Sequence, residues 1–314
     1  MQLGIKTNNV MGVIVGSLNM DLVAVGESIP RPGETLPGSD FRTIPGGKGG
    51  NQAVACANLG IDVRMVGRVG QDGFGSDLKA TLRSSKIDDS HVYIDNDVRT
   101  GVALISVDHR GENSILAVYG ANFTGQSEQE KAAKEALDGA DFVLLQNEIP
   151  HELNLFVANY AKSIDVPVFW DPAPANANAF ELMKLCSYIT PNHLEAEALI
   201  NTNIRSPEDA FIACNKIMDI TDGEVMPFIT LGSDGVVFIS EGTPRLLPSF
   251  SVETIDTVAA GDAFVAGLAV GISEKEKSMS ECCRFASAVA ALSVTRRGAQ
   301  DSMPMRFEVD EFLK

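Results

Sequence analysis

The sequence predicts an α/β fold: a doubly wound, mostly parallel central sheet flanked by helices, with a small antiparallel β lid. From residue 126 onward, short apolar runs alternate with helical stretches, which is the order expected of parallel strands joined by crossover helices. Earlier in the chain, two β-like runs follow each other without an intervening helix. The 314 residues contain no repeat and no long linker, so we expect a single domain over 1–314.

The first half of the chain supplies the opening strands of the sheet and the lid. The runs 100–107 and 114–119 flank the turn 108–111 and predict a β-hairpin. We expect this hairpin and the segment 22–44 to form the lid, from insertions at about 19–45 and 98–120. The remaining elements predicted here are a strand at 13–17, a helix at 50–60, a strand at 63–67 and a helix from the turn 70–75 to about residue 86.

In the second half, each predicted strand is followed by a polar or glycine-rich segment. The strands are expected at 142–145, 166–170, 188–190 and 226–231. The residues that follow them include Gln146, Glu148, Asp171, Asn192 and Gly232. Ligands of open α/β sheets bind beyond the carboxyl ends of the strands, so we expect these residues to border one crevice. Two further helices are predicted, at 263–270 and 284–292.

The segment 253–264 has the pattern of an anion site. A β-like stretch leads through three small residues, Ala259, Ala260 and Gly261, into an apolar helix. A helix start offers unpaired N–H groups and a partial positive charge, and small side chains allow a large anion to approach. Asp262 lies in the first turn and has two interpretations: a carboxylate favoured by the helix dipole, or a base held against a phosphoryl group.

The glycine-rich run 46–52 leads into the predicted helix at 50–60. It is not a Walker A loop, because Gly49 stands where that loop needs Ser or Thr. It could be a flexible turn, or a close approach to a ligand in which Lys48 and Asn51 donate to hydroxyl or phosphate oxygens.

Two polar pairs also have two interpretations. Asn19 and Asp21 follow the first strand and suit either an Asx turn or hydrogen bonds to vicinal hydroxyls. Asn192 and Glu195 lie one helical turn apart. They suit either a capping box or the ordering of water around Mg²⁺.

Together these segments resemble the ribokinase family of sugar kinases, also called the phosphofructokinase-B family. Its D-T-x-A-A-G-D run, here 256–262, carries the catalytic aspartate, and its G-G-K-G-x-N-x-A run, here 46–53, lies against the sugar. The resemblance implies catalysis by Asp262 with the N–H groups of Gly261 and Ala260. The implied sugar contacts are Asn19, Asp21, Gly47, Lys48, Asn51, Glu148 and Asp262.

The resemblance also implies an ATP site and two kinds of ion. Mg²⁺ accompanies ATP, and K⁺ is a monovalent activator beside the anion site. Ser287 stands where some relatives have a histidine near the adenine. The implied nucleotide residues are Asn192, Glu195, Thr230, Gly232, Gly235, Gly261 and Ser287. The implied K⁺ ligands are side-chain oxygens of Asp256 and Ser302 and carbonyls of Val258, Ser293, Arg296 and Gly298.

The implied reaction is ATP-dependent phosphorylation of D-ribose at its 5-hydroxyl. Fructose, deoxyribose and adenosine remain open as alternative substrates, although Asp21 argues against deoxyribose because it would bind the 2-hydroxyl. A dinucleotide-dependent oxidoreductase is disfavoured because no G-x-G-x-x-G follows the first strand. A sugar-binding regulator without catalysis is disfavoured by the intact Asp262.

Composition and charge set the remaining expectations. The net charge of −17 argues against nucleic-acid and anionic-membrane partners, and no apolar run is long enough to span a membrane. The five cysteines form no C-x-x-C pair, and the N-terminus, residues 1–10, does not resemble a signal peptide, so we expect a cytoplasmic protein. Exposed edges of the lid sheet predict a homodimer formed through the lid.

Overall fold

The computed structural model describes residues 10–176 and 180–314. Most of the N-terminal segment considered above, residues 1–9, lies outside the described residues. The strands are, in chain order, β1 (Met11–Val15), β2 (Asn19–Gly26), β3 (Gly38–Gly46), β4 (Asp62–Gly70), β5 (Asp88–Asp95), β6 (Gly101–Val107), β7 (Asn113–Val118), β8 (Phe142–Gln146), β9 (Val168–Asp171), β10 (Tyr188–Ile189), β11 (Met226–Thr230), β12 (Val236–Ser240) and β13 (Thr243–Leu247).

The helices connect and cover these strands. They are, in chain order, α1 (Lys48–Asn58), α2 (Gly73–Ser84), α3 (Gln126–Ala136), α4 (His151–Ser163), α5 (Phe180–Met183), α6 (His193–Ile200), α7 (Pro207–Ile220), α8 (Ala260–Ser273), α9 (Met279–Ser293) and α10 (Arg306–Phe312). Short 3₁₀ turns lie at 120–123, 232–234 and 300–302.

Within the described residues, nine strands form the large sheet in the order β13-β12-β11-β10-β9-β8-β1-β4-β5. All neighbours from β11 to β5 pair in parallel, and β12 and β13 add an antiparallel edge. Strand β8 is buried along its whole length, as expected for a strand covered on both faces. The predicted fold class is confirmed.

Helices cover both faces of the large sheet. Helices α1, α2, α8 and α9 pack on one face and α3, α4, α6 and α7 on the other, each face with its own hydrophobic cluster. Helix α8 is almost entirely apolar and buried. At Gly267 it approaches α9 so closely that a Cβ there would lie 2.9 Å from the Cα of Ala286. This packing holds α8, and therefore its first turn, rigidly against the sheet.

A four-stranded sheet forms the lid, in the order β3-β2-β6-β7. Strands β2 and β3 pair antiparallel, as do β6 and β7, the predicted hairpin. Strands β2 and β6 pair in parallel, so the sheet is mostly rather than wholly antiparallel. It exposes large apolar side chains, among them Phe41, Ile115 and Leu116.

Two details differ from the sequence prediction. The pattern missed β5 and the β12–β13 edge, and it assigned a β-like stretch at 253–258, where the structure has no strand. The N–H groups of Ile255 and Asp256 both donate to the carbonyl of Val294. One acceptor serving two successive donors ties this loop to the end of α9, and it cannot form a strand ladder, in which each N–H has its own partner.

Candidate active site

The glycine-rich run places the first turn of α1 against the end of β1. Gly47 has φ +82°, and a Cβ there would lie 2.6 Å from the backbone nitrogen of Asn19. A Cβ on Gly49 would lie 2.7 Å from Ser17 N, and Gly50 N donates to Ser17 O at 3.0 Å. The absence of side chains at these glycines therefore allows the start of α1 to pack closely against the backbone at the end of β1. The side chains that follow them reach the carboxyl ends of the central strands.

Asp262 lies at the start of α8 and is almost fully buried, with 3% exposure. Its Oδ2 accepts from Asn51 Nδ2 at 2.9 Å, and its Oδ1 accepts from Gln52 Nε2 at 3.0 Å. The Nζ of Lys48 lies 3.9 Å from Oδ1. Three polar side chains of α1 thus surround one carboxylate of α8.

Asp171 is a second buried carboxylate in the same cluster, at the end of β9. Its Oδ2 lies 3.5 Å from Lys48 Nζ and accepts from Gln52 Nε2 at 3.1 Å. Burial raises the pKa of Asp171 to about 7, although the Lys48 ammonium opposes the shift. Burial alone would lower the pKa of Lys48, but the charges of Asp171, Asp262 and Glu148 raise it above the usual lysine value. Lys48 is therefore a fixed cation at neutral pH.

Glu148 connects the lid, α1 and the end of β1. Its Oε2 accepts from Ser17 Oγ at 2.5 Å, from the backbone N–H of Lys48 at 3.0 Å and from Asn19 Nδ2 at 3.4 Å. Asn19 in turn accepts from Asn122 Nδ2 at 2.8 Å. The carboxylate is thus held by three separate segments.

Asp21 is carried by the lid strand β2 and faces the same pocket. A Cβ on the neighbouring Gly46 would lie 2.5 Å from its Oδ2. Burial, reinforced by the charges of Glu148 and Asp262, raises the pKa of Asp21 to about 7. Its carboxylate therefore titrates within the physiological range.

A cleft of about 740 Å³ opens on the other side of the start of α8. It is lined mostly by small side chains and backbone; its lining includes Thr230, Gly232, Gly235, Ala260, Gly261 and Ser287. A Cβ on Gly261 would meet nothing within 4 Å, so the helix start leaves open space in front of it. The N–H of Ala260 donates to Thr257 O at 3.3 Å.

Asn192 and Glu195 form a complete capping box at the start of α6. Asn192 Oδ1 accepts from Glu195 N at 2.9 Å, and Glu195 Oε2 accepts from Asn192 N at 2.8 Å. The backbone of Asn192 also forms an isolated parallel β-bridge with that of Thr230, which lines the cleft. Burial raises the pKa of Glu195, while the Asn192 N–H and the Lys48 charge oppose the shift.

Asp256 joins two of the loops implied in K⁺ binding. Its Oδ1 accepts from Val258 N and its Oδ2 from Gly298 N, both at 3.0 Å. The backbone N–H of Arg296 donates to Ser293 O at 3.2 Å, and its guanidinium pairs with Glu308. Ser302 is buried, and its hydroxyl donates to Ala299 O at 2.8 Å.

The structure thus brings the predicted sugar and nucleotide residues into two neighbouring groups. One contains the predicted sugar contacts, and the other is the cleft, whose lining includes five predicted nucleotide residues: Thr230, Gly232, Gly235, Gly261 and Ser287. The start of α8 belongs to both. Asn192 and Glu195 lie at the start of α6, where Asn192 pairs with Thr230, and the implied K⁺ ligands lie around the loops that Asp256 joins.

Ser17, Gln52 and Asp171 also belong to the first group but were not among the predicted site residues. The sequence placed Asp171 at the border of the crevice, because it directly follows a predicted strand, but assigned it no role. Gln52 gave no signal of its own because its role depends on folding.

Two structural features are absent from the ranges 10–176 and 180–314: a cluster of metal-binding side chains and a membrane-spanning helix. No group of three or more His, Cys, Asp or Glu side chains there is arranged to hold a metal ion. No helix in those ranges is long and apolar enough to cross a membrane.

A cleft over a helix start, beside a pocket of carboxylates and a lysine, is the arrangement expected of a phosphotransferase that acts on a small molecule. Comparison with known proteins specifies the family. The family model described as pfkB family carbohydrate kinase matches residues 11–306. The chain therefore belongs to the pfkB family of carbohydrate kinases.

Individual relatives agree with this assignment. The ribokinase of Bacillus subtilis is 39% identical over 300 residues, covering 96% of this chain and 98% of that protein. The ribokinase of Mus musculus is 35% identical, covering 94% and 92%. A solved structure of Arabidopsis thaliana ribokinase, complexed with ribose and ATP, superposes with a TM-score of 0.86 at 33% identity, covering 98% of this chain and 99% of that one.

Proposed function

We propose that this protein transfers the γ-phosphoryl group of ATP to the 5-hydroxyl of D-ribose, giving D-ribose 5-phosphate and ADP. The observation that carries the proposal is the position of Asp262. Its carboxylate faces the pocket containing Lys48 and Asn51, while Ala260 and Gly261 of the same helix turn line the cleft. The ribokinases compared above support ribose and ATP as the two substrates.

In the proposed reaction the 5-hydroxyl oxygen attacks the γ-phosphorus and the bond to the β–γ bridging oxygen breaks. The hydroxyl proton passes to the Asp262 carboxylate, and the bond electrons leave with ADP. Positioning and charge stabilisation carry most of the catalysis in phosphoryl transfer. The N–H groups of Gly261 and Asp262 would stabilise the transferred group. Ala260 N–H would join them by exchanging its long bond to Thr257.

The sugar would lie between the lid and α1. Asp21 and Asn19 from the lid, with Glu148 below them, supply acceptors for ribose hydroxyls, and Asn51 and Lys48 supply donors. The backbone at Gly47 forms the remaining wall. The lid would cover the bound sugar and exclude water that could otherwise hydrolyse ATP.

The nucleotide would occupy the cleft. Its adenine end would contact Ser287, and its phosphates would run past Thr230, Gly232 and Gly235 to Gly261. Mg²⁺ would bind with the phosphates, ordered through water by Asn192 and Glu195, and would neutralise phosphate charge. Glu195 uses Oε2 in its capping box, which leaves Oε1 to face a hydrated ion, a donor type that suits Mg²⁺.

We propose that a K⁺ ion would bind between the loops before α8 and after α9. Asp256 already joins them, and the remaining donors are oxygens, which suit a hard cation. They are the Ser302 hydroxyl and the carbonyls of Val258, Ser293, Arg296 and Gly298. A bound cation there would add positive charge near the start of α8.

We also propose a homodimer formed through the lid. The exposed apolar residues Phe41 and Leu116, which the strand register places on the same face of the lid sheet, support it, since monomers rarely expose large apolar surface. Light scattering should give twice the chain mass, and Leu116→Lys should shift the mass towards that of a monomer. A wild-type monomer at all concentrations would refute this proposal. A reducing cytoplasmic location is supported by the cysteines, which are all free and buried.

The reaction is tested by measuring ADP release with a panel of pentoses, hexoses and nucleosides, with and without K⁺. We expect D-ribose to give the highest kcat/KM, and NMR of the product to show the phosphate on O5. If fructose, deoxyribose or adenosine gave a higher kcat/KM than ribose, that compound would be assigned as the substrate in place of ribose. ADP release that is independent of every acceptor would contradict the proposal altogether.

A further inference from the structure

Gln52 lies between the two buried carboxylates of the pocket. It is completely buried, and its Nε2 donates to Asp171 Oδ2 at 3.1 Å and to Asp262 Oδ1 at 3.0 Å. An amide nitrogen carries two hydrogens, so each carboxylate receives one and none is left over. A neutral side chain thus links two acids that would otherwise repel each other.

The direction of the Gln52 amide is fixed from behind by Gln146. Gln146 is also fully buried, at the end of β8, and its Nε2 donates to Gln52 Oε1 at 2.6 Å. A reversed Gln52 amide would direct its oxygen at two carboxylates and lose this bond. The chain of hydrogen bonds from Gln146 through Gln52 therefore has one favourable arrangement.

This arrangement makes the two oxygens of Asp262 unequal. Oδ1 is held by Gln52 and lies 3.9 Å from Lys48 Nζ. Oδ2 accepts from Asn51, one of the proposed sugar contacts. A carboxylate oxygen has two lone pairs, so Oδ2 can accept from Asn51 and still receive a proton from the sugar.

We propose that Gln52 is the positioning residue of the base: it anchors Oδ1 of Asp262 so that Oδ2 faces the attacking hydroxyl, and Gln146 fixes Gln52. This inference rests on the proposed function. The charged groups around this point come from every neighbouring element. They are Lys48 of α1, Asp21 of β2, Asp171 at the end of β9, Asp262 of α8, Glu148 beyond β8 and Glu195 of α6.

The first test is Gln52→Met, which keeps the volume and removes the donor. We expect kcat to fall roughly 10- to 100-fold, because small misplacements of a catalytic group cost that much. The KM values for ribose and ATP should stay within about threefold, since Gln52 is proposed to act on the base and not on substrate binding. The control is Gln129→Met, an equally buried glutamine on α3 that donates to Thr124 O, and its kcat should match wild type.

The second test is the pH profile of Gln52→Glu. A protonated carboxylic acid at this position could still donate one hydrogen bond, whereas its ionised form would add a third negative charge. Burial and the two neighbouring acids would raise the pKa of the introduced group. The ratio of variant to wild-type kcat should therefore fall as the pH rises from 6 to 8. A ratio that is constant with pH would indicate a structural role and overturn the inference.

The third test is a double-mutant cycle with Gln146→Met. Because Gln146 is proposed to act only through Gln52, the single variant should lower kcat, and the double variant should equal Gln52→Met. Additive losses would overturn this order. A wild-type enzyme that is inactive on ribose would instead refute the proposed function, whereas active wild type with unchanged kcat in Gln52→Met would refute only the positioning role.

Discussion

The two halves of the site are built differently. In the pocket around Asp262, charged and amide side chains such as Lys48, Gln52 and Asp171 already bond to one another. In the cleft, small side chains and backbone surround open space in front of Gly261. The pocket is held together by its own hydrogen bonds and ion pairs, and the cleft provides room and backbone donors. Substitutions that remove polar atoms should therefore impair the function of the pocket, whereas substitutions that add atoms should impair the function of the cleft.

The largest expected effect is in the pocket, from Asp262→Asn. The amide cannot accept the hydroxyl proton, so kcat should fall by about 10²- to 10⁴-fold, with nearly unchanged KM for ribose and ATP. The matched control is Asp209→Asn in the first turn of α7, which should retain wild-type kcat. Steady-state kinetics with both substrates measures the effect, and retained turnover in Asp262→Asn would remove the base assignment.

In the cleft, the most informative substitution is Gly261→Ala, which adds one carbon atom. Its methyl group would enter the space in front of the helix start without touching the protein. We expect kcat/KM for ATP to fall about 100-fold without a loss of melting temperature, since alanine favours a helix. Gly73→Ala is the control, because Gly73 also opens a helix and its Cβ would also be free. Equal kinetics in the two variants would contradict a phosphate site at Gly261.

The pocket and the cleft should also differ in pH dependence: the KM for ribose should change about tenfold with pH, whereas the KM for ATP should not. Burial and the charges of Glu148 and Asp262 raise the pKa of Asp21 to about 7, and only its ionised form offers a strong, charged acceptor on both oxygens to the ribose hydroxyls. As the pH falls below this value the carboxylate becomes protonated, so the KM for ribose should rise roughly tenfold between pH 8 and pH 6. The KM for ATP should not follow it. Asp21→Asn should remove this pH dependence; a dependence that persists would assign it to another group.

The smallest effect concerns stability at the border of the cleft. Asn192 and Ser278 each cap a helix through a complete capping box, so replacing either with alanine should cost about 1 kcal/mol of unfolding free energy. Ser278→Ala should leave the kinetics unchanged. Asn192→Ala should also raise the Mg²⁺ concentration needed for half-maximal rate. Identical Mg²⁺ dependence in both variants would limit Asn192 to its capping role.

Sequence patterns predicted the fold well because they record burial. Runs such as 142–145 are apolar on both faces, and this pattern identifies a central parallel strand directly. Strands β5 and β13 lie at the two edges of the large sheet, and polar residues interrupt their apolar positions, so they are less distinct from loops. Strand β12 was missed although its run Val236–Ile239 is apolar and buried. The β-like composition of 253–258 misled because tertiary bonding to Val294 overrides local preference.

The site was predictable wherever a residue stood at a strand end or a helix start. Asp262, Glu148 and Asn192 were found in this way. Gln52 and Ser17 were not, because a buried amide or hydroxyl acquires its role from partners that are distant in sequence. The distance of 210 residues between Gln52 and Asp262 cannot be inferred from a local pattern.

The parallel pairing of β2 with β6 has a mechanical meaning. Asn19 and Asp21 open β2, and only residues 16–18 separate this strand from β1 of the rigid sheet. Any tilt of the small sheet relative to the large one would therefore carry both side chains along with it. Contact of these side chains with the sugar and closure of the lid over it would then occur in one movement, transmitted through strand β2.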